Sequence, residues 1–330
     1  MTKIYNNHRM PKDVLCLVTG GAGFIGSHIA EGLLQKGYRV RILDNFSTGR
    51  REHIEDFARD IELIEGDLTD DAALKEALSG VSYVFHEGAI RSVPKSMDNP
   101  TASNKANVEG TLKLLHHAKG AGVRLVVYAS SSSLYGDGKI FPQKETHLPQ
   151  PVSPYAVSKL AGELYCRVFT KSMGLPTVSL RYFNVYGPRQ DPESLYSAVI
   201  PKFMEHAMQG KPLEIHWDGK QSRDFSCVLD VVQANLLAIT APPKAYGEAF
   251  NIACGKSYSL LDLVRFLEKT MNKKLARVHH PKRHGDARKT YADISKAKNF
   301  LGYSPKVSFE EGLKLTWDYF SKHYASSVSK

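Results

Sequence analysis

Tyr155 and Lys159, in the stretch SPYAVSK, stand four residues apart. On a helix of ~3.6 residues per turn that spacing puts both side chains on one face. A lysine cation beside a phenol favours the phenolate, and a phenolate can take a proton near neutral pH. On its own a tyrosine and lysine at this spacing is more often a surface or packing pair. The residues upstream change that balance. Ser130, Ser131, Ser132 and Ser133 form an unbroken run after the apolar VRLVVYA. A polar Ser/Gly run by itself reads as a linker. A buried strand that ends in hydroxyls reads instead as one wall of a ligand site. A serine there can share a substrate proton with the tyrosine.

A second set of residues suits a phosphate-bearing ligand. TGGAGFIG places Gly20, Gly23 and Gly26 between an apolar run, VLCLVTG, and a helical pattern carrying Phe24, Ile25, Ile29, Leu33 and Leu34. Glycines allow a tight turn and close approach of a pyrophosphate, which the free N–H groups of the helix start can bind. Asp44 ends the next apolar run, YRVRILD. It lies in the span, ~20 residues on, where an acid binds the adenosine ribose hydroxyls and repels a 2′-phosphate. The expected cofactor is therefore NAD rather than NADP. Asp67 and Leu68, in GDLTD, end a third strand and are placed to flank an adenine. Asp67 equally suits the first turn of a helix. Gly88 and Ala89, after SYVFHEGA, let the chain pass close to the cofactor.

Strands and helices must alternate to bring these residues together. Apolar runs end at Gly20, Asp44, Asp67 and Ala89, and helical stretches separate them. A long helix through NKANVEGTLKLLHHAKGAG, the serine strand, the Tyr155 helix and the strand PTVSLRYFN follow. This rhythm predicts an α/β chain with a doubly wound parallel sheet. After about Asn184 it breaks into Pro/Gly-rich sequence. Two domains are expected. Residues 1–184 with about 225–256 form a Rossmann NAD domain. Residues about 185–224 with 257–330 form a smaller α/β substrate domain.

Composition limits the other readings. The chain has 330 residues, of which 42% are apolar, enough for a large core. No apolar stretch precedes a cleavage site near the start, and no run of ~18 apolar residues occurs, so a cytoplasmic protein is expected. The four cysteines are scattered and read as free thiols. The thirteen histidines show no ligand spacing, so no metal is expected. The net charge of +10 comes without a long basic stripe, the densest patch being Pro281 to Lys289. An anionic small substrate explains it better than nucleic acid.

The chain resembles the extended short-chain dehydrogenase/reductase family, in its nucleotide-sugar epimerase and dehydratase branch. The resemblance is carried by VTGGAGFIGSHIAEGLL, DNFSTG, GDLTD, NVEGT, SSSLYGD, SPYAVSKLAGE, RYFNVYGPRQ, SRDF and RHGDARKTYADISKA, which run through nearly the whole chain. It implies a Ser131, Tyr155, Lys159 triad. It implies NAD contacts at Gly20, Gly23, Phe24, Ile25, Gly26, Asp44, Asn45, Ser47, Thr48, Gly49, Asp67, Leu68, Ala89, Asn107, Tyr155, Lys159 and Tyr182. Lys159 would bond the nicotinamide ribose and hold the phenol acidic. It implies a UDP-sugar site at Arg91, Ser92, Ser131, Ser132, Ser133, Tyr155, Asn184, Ala198, Val199, His216, Arg223, Arg283, Asp286 and Thr290. The two arginines suit the diphosphate and Asp286 the uridine ribose. Ser132 would face the sugar, while Ser130 and Ser133 would turn away to the loop backbone. Trp217 stands where the family has a glycine, so it either packs the smaller domain or alters the uracil pocket. Pairing through two helices as a four-helix bundle, a homodimer, is also implied.

The resemblance also bears on the reaction. Dehydrating relatives carry an Asp-Glu pair where this chain has Ser132 and Ser133, and no acid follows before Asp137. What remains is reversible oxidation at one carbon, which is 4-epimerisation with NAD bound throughout. Thr290 replaces the bulky tyrosine of glucose-restricted relatives, and Ala198 a family asparagine. The expected reaction is UDP-N-acetylglucosamine to UDP-N-acetylgalactosamine, with the UDP-glucose/UDP-galactose pair also turned over. The alternatives are action on UDP-glucose alone, on UDP-glucuronate, with Arg91 or Lys95 meeting the carboxylate, or a NAD-sensing protein without turnover.

Overall fold

The computed structural model describes residues 13–138, 140–191, 199–282 and 288–328. Seven strands make one parallel sheet: β1 (Leu15–Thr19), β2 (Arg39–Asp44), β3 (Ile61–Glu65), β4 (Tyr83–His86), β5 (Leu125–Ser131), β6 (Thr177–Tyr182) and β7 (Glu248–Ile252). Their order is β7-β6-β5-β4-β1-β2-β3. β1 and β6 are buried along their whole length. For β1 that fits a near-continuous apolar sequence, since strands covered on both faces lose the alternation of half-exposed ones, whereas β6, TVSLRY, also buries polar side chains. The chain steps outward from β1 through β3, then returns to place β4 on the other side of β1. The strand ends on either side of that reversal open a crevice, where ligands of such sheets bind.

Helices cover both faces. On one side α1 (Phe24–Gln35) packs with α4 (Val228–Ala238) over Cys16, Val18, Ile42, Val127 and Phe250. A Cβ on Gly32 would lie 2.7 Å from Val232, so that glycine sets how closely α1 and α4 approach. On the other side α2 (Gly110–Gly120) and α3 (Pro154–Met173) cover Leu17, Val84, Val126 and Tyr128. The long helix expected before β5 is interrupted. A π-helical turn, Lys105–Glu109, joins Pro100–Asn104 to α2. Such turns are often found at functional sites. The turn buries Asn107, whose amide brackets Ile90 by accepting from its N–H at 2.8 Å and donating to its carbonyl at 3.0 Å.

A separate core gathers Ile200, Phe203, Leu213, Ile215, Phe225, Leu263, Leu267, Phe309 and Leu313. It holds the helices Val199–Met208 and Leu260–Met271 and a parallel strand pair, Leu213–His216 with Arg277–His280. Among the described residues no helix is long and apolar enough to cross a membrane. The four cysteines are unbridged.

Beneath the serine run lies a buried polar network. Arg181 grips Glu163 with two hydrogen bonds of 2.8 Å and donates to the Tyr135 hydroxyl at 2.9 Å. Ser130 donates to the same carboxylate at 2.5 Å, and Tyr135 donates to Asn251 at 2.7 Å. Ser130 therefore serves a side chain on α3, not the loop backbone. The network ties the end of β5 to α3, β6 and β7. Glu163→Gln leaves the Arg181 charge buried without its counter-ion. The expected loss is about 3 kcal/mol of folding stability, read from urea denaturation.

Candidate active site

The crevice is a cavity of about 1150 Å³. At one end it is floored by the β1–α1 turn. Gly20 has φ +66°, and a Cβ there would sit 2.8 Å from Gly88. A Cβ on Gly26 would lie 2.2 Å from the Gly20 carbonyl, so neither position tolerates a side chain. The first turn of α1 has no side-chain cap, which leaves its N–H groups to the cavity. Asp44 closes β2, and its carboxylate accepts from Ala22 N at 2.9 Å and Phe46 N at 2.9 Å. Burial pushes this carboxyl up, and those two N–H groups pull it down. A Cβ on Gly49 would fall 2.8 Å from Asp44 Oδ1, so a bare backbone keeps this acid open to the cavity. Glycine cradle, uncapped helix start and ribose-seeking acid together fit the adenosine diphosphate half of NAD.

Phe24, Ile25, Asn45, Ser47, Thr48, Asp67, Leu68 and Ala89 also line this cavity. Asn45 donates to Asp67 at 2.7 Å, which locks the two together. Asn107 does not line it and stands behind Ile90 instead.

At the other end α3 delivers Tyr155 and Lys159. Ser153 caps the helix by accepting from Ala156 N at 3.2 Å, with Pro154 at its first position. Tyr155 N donates to Ser96 Oγ at 3.1 Å. The Tyr155 phenol and the Ser131 hydroxyl line the same cavity, and the hydroxyl lowers the phenol. Ser131 Oγ accepts from Ser133 N at 3.1 Å and from Ser133 Oγ at 2.9 Å. Both bonds use Ser131 Oγ as acceptor, so its own proton is left to donate. Ser133 thus orients Ser131, where the sequence reading had turned it to the loop backbone.

Burial raises the Tyr155 phenol; the Ser131 hydrogen bond and then the Arg91 cation lower it. The Lys159 ammonium donates to Ala129 O at 2.8 Å above the Tyr128 ring, which leaves further N–H donors for a ligand in the cavity. Burial lowers Lys159, and Glu87 is the strongest influence opposing that. Glu87, which sequence reasoning passed over, lines the same cavity. Its signal was an acid directly following an apolar strand, in HEGAIRS.

The far wall carries Arg91, Ser92, Ser132, Asn184, Arg223 and Thr290. Ser92, at φ +130°, is a strained residue beside Arg91. Thr290 N donates to Ser222 O at 3.1 Å, which sets Thr290 beside Arg223. The Thr290 hydroxyl is buried and has no hydrogen-bond partner among the described residues. Asp224, also missed, fixes this wall from behind. Its carboxylate accepts from Cys254 N, Gly255 N and Ala292 N at 2.8, 3.0 and 3.2 Å. Burial raises it to about 7.

Val199 and His216 do not line the cavity. Val199 packs against the smaller core, and His216 stacks on His280 with ring centroids 5.0 Å apart. Trp217 also stands outside the cavity wall. Its ring lies under Lys282 and Arg288, at 4.3 and 4.6 Å, and its φ of +62° is one that glycine adopts more readily. Ala198, Arg283 and Asp286 lie outside the described residues.

Comparison with known proteins shows the family. The chain is similar to a UDP-glucose 4-epimerase of Thermotoga maritima solved with UDP-glucose: 40% identity, TM-score 0.89, over 94% of this chain and 100% of that one. It is similar to a UDP-N-acetylglucosamine 4-epimerase of Methanobrevibacter ruminantium solved with UDP-N-acetylmuramic acid: 38% identity, TM-score 0.90, over 95% and 100%. A UDP-glucuronic acid 4-epimerase of Bacillus cereus, solved with UDP-glucuronic acid and NAD, matches at 34% identity and TM-score 0.87, over 94% and 100%. A family model covers residues 16–253, and the chain belongs to the NAD dependent epimerase/dehydratase family.

Proposed function

We propose that this chain epimerises UDP-sugars at C4, with UDP-N-acetylglucosamine and UDP-N-acetylgalactosamine as its preferred pair. The observation that carries the reading is Ser131, Tyr155 and Lys159 lining one cavity with the glycine cradle of a dinucleotide crevice. Gly20, Gly23, Gly26 and the start of α1 hold the pyrophosphate of NAD, and Asp44 the adenosine ribose. Lys159 and Tyr182 hold the nicotinamide riboside end. Bound NAD supplies reversible hydride acceptance at the sugar carbon.

Tyr155 takes the proton from the 4-hydroxyl and gives it back, with Ser131 sharing it. Arg91 supports the phenolate. The serine run presents no carboxylate for the elimination or decarboxylation that would divert the sugar. Arg223 meets the diphosphate, together with Arg283, while Asp286 meets the uridine ribose. The unpartnered hydroxyl of Thr290, with Ser132, supports room and hydrogen bonding for a 2-acetamido group. A second copy of the chain is expected to pack on the exposed apolar residues of α3, Val157, Leu164 and Val168.

A second reading, UDP-glucuronate as substrate, is favoured by Arg91 and Lys95 on the cavity wall. Assays of the purified protein with the UDP-N-acetylglucosamine, UDP-glucose and UDP-glucuronate pairs separate these. The expected order of kcat/KM is acetylated, then plain, with glucuronate least. Glucuronate as the best substrate would overturn the preference but not the reaction.

A further inference from the structure

Glu87 directly follows β4, and its N–H donates to Thr19 O at 3.2 Å, so it sits at the reversal point between β1 and β4. It lies one residue past the His86–Tyr128 pair of β4 and β5, beside Ala129, whose carbonyl takes the Lys159 hydrogen bond. Its carboxyl lines the same cavity and accepts from the Tyr182 hydroxyl at 2.7 Å. That hydroxyl accepts in turn from Asn235 Nδ2, at 2.8 Å, on α4. The acid is thus fixed by β6 and α4, and proton transfer from the sugar gives it no task.

Lys159 has a problem that Glu87 answers. The residue is 4% exposed, and its ammonium's hydrogen bond goes to a neutral carbonyl. A buried ammonium without an anion tends to shed its proton. The charged and titratable groups around Glu87 are Lys159 and Tyr155 on α3, Tyr182 on β6 and Tyr128 on β5. Of these Lys159 alone is a cation. His86, next in the chain, is buried and held neutral, between Thr19 Oγ1 at 2.8 Å and Thr111 Oγ1 at 2.9 Å.

Resting on the epimerase reading, we infer that Glu87 is a positioning residue, the carboxylate, held by Tyr182 and Asn235, that retains the charge on Lys159. Burial raises the Glu87 carboxyl, while the Tyr182 hydrogen bond and the Lys159 cation return it toward ionisation. Acid and base therefore each oppose the other's loss of charge on burial.

The test follows Lys159 without turnover. In protein carrying 13Cε-labelled lysine and bound NAD, the Lys159 resonance is assigned by its absence in Lys159→Arg. Its titration midpoint is expected to fall by about one pH unit in Glu87→Gln, since the charge opposing burial is gone. Glu87→Asp is expected to recover most of that shift. Tyr182→Phe, which weakens the carboxylate without removing it, is expected to give a smaller fall. In parallel the alkaline limb of the kcat/KM profile should move to lower pH in Glu87→Gln. Should that variant not fold, Tyr182→Phe carries the decision. A Lys159 midpoint unmoved in the folded variants overturns the inference. A shifted midpoint in a protein that turns over no UDP-sugar leaves it standing and overturns the epimerase reading instead.

Discussion

Tyr155→Phe is expected to lower kcat by about 10³, within the range of general acid–base catalysis, while the protein keeps its fold and its NAD. The ring stays in place in the variant. Only the group that meets Ser131 is removed. NAD released on denaturation reports cofactor content, and a thermal melt reports folding. Turnover within tenfold of the parent would remove Tyr155 from the mechanism. The serine run sharpens the test. Ser131→Ala deletes the hydroxyl that faces the phenol, and about a 10²-fold loss is expected. Ser133→Ala deletes only the hydroxyl that orients Ser131, so a loss of about tenfold is expected. Ser130→Ala withdraws one bond from Glu163 and should register in stability before rate. A Ser133→Ala loss larger than that of Ser131→Ala would assign the shared proton to the wrong serine.

The parts of this site that sequence reveals are those built from near neighbours. Gly20 and Gly26 approach each other within one turn, and Tyr155 and Lys159 share a face because a helix repeats every ~3.6 residues. Asp44 is legible because it ends the strand beside β1. Alternation of strand and helix gives the parallel sheet for the same reason. What stays hidden depends on which distant strands adjoin. Glu87 acquires its role from Tyr182, 95 residues away, and only the fold brings them together. Asp224 is held by backbone groups at 254, 255 and 292, which carry no side-chain signature. Asn107 lies on a helix whose periodicity a π turn alters, and it supports Ile90 from behind the cavity wall. The same reasoning explains Lys159. Its spacing from Tyr155 is right, but spacing cannot show that its ammonium bonds Ala129 while Arg91 acts on the phenol.

Thr290→Tyr is expected to separate the acetylated from the plain substrates. Thr290 lines the cavity, its N–H fixed on Ser222 O at 3.1 Å next to Arg223. Asp224 pins Ala292 two residues on, so this stretch of backbone has little freedom to retreat from a larger side chain. A phenol there occupies the space proposed for the acetamido group. Overpacking of this kind costs about 1–3 kcal/mol, and near the upper end that is ~100-fold in kcat/KM. UDP-N-acetylglucosamine should lose about that factor, while UDP-glucose, lacking the group, should change by less than about threefold. Thr290→Val asks a different question. The hydroxyl is buried with no partner among the described residues, so its loss should cost the fold little. If the acetamido group supplies the missing hydrogen bond, the acetylated substrate alone should weaken, by about tenfold. Equal losses on both substrates in Thr290→Tyr would show that the residue shapes the wall generally. Substrate width would then be set by the sugar-facing serines, with Ser132 first among them.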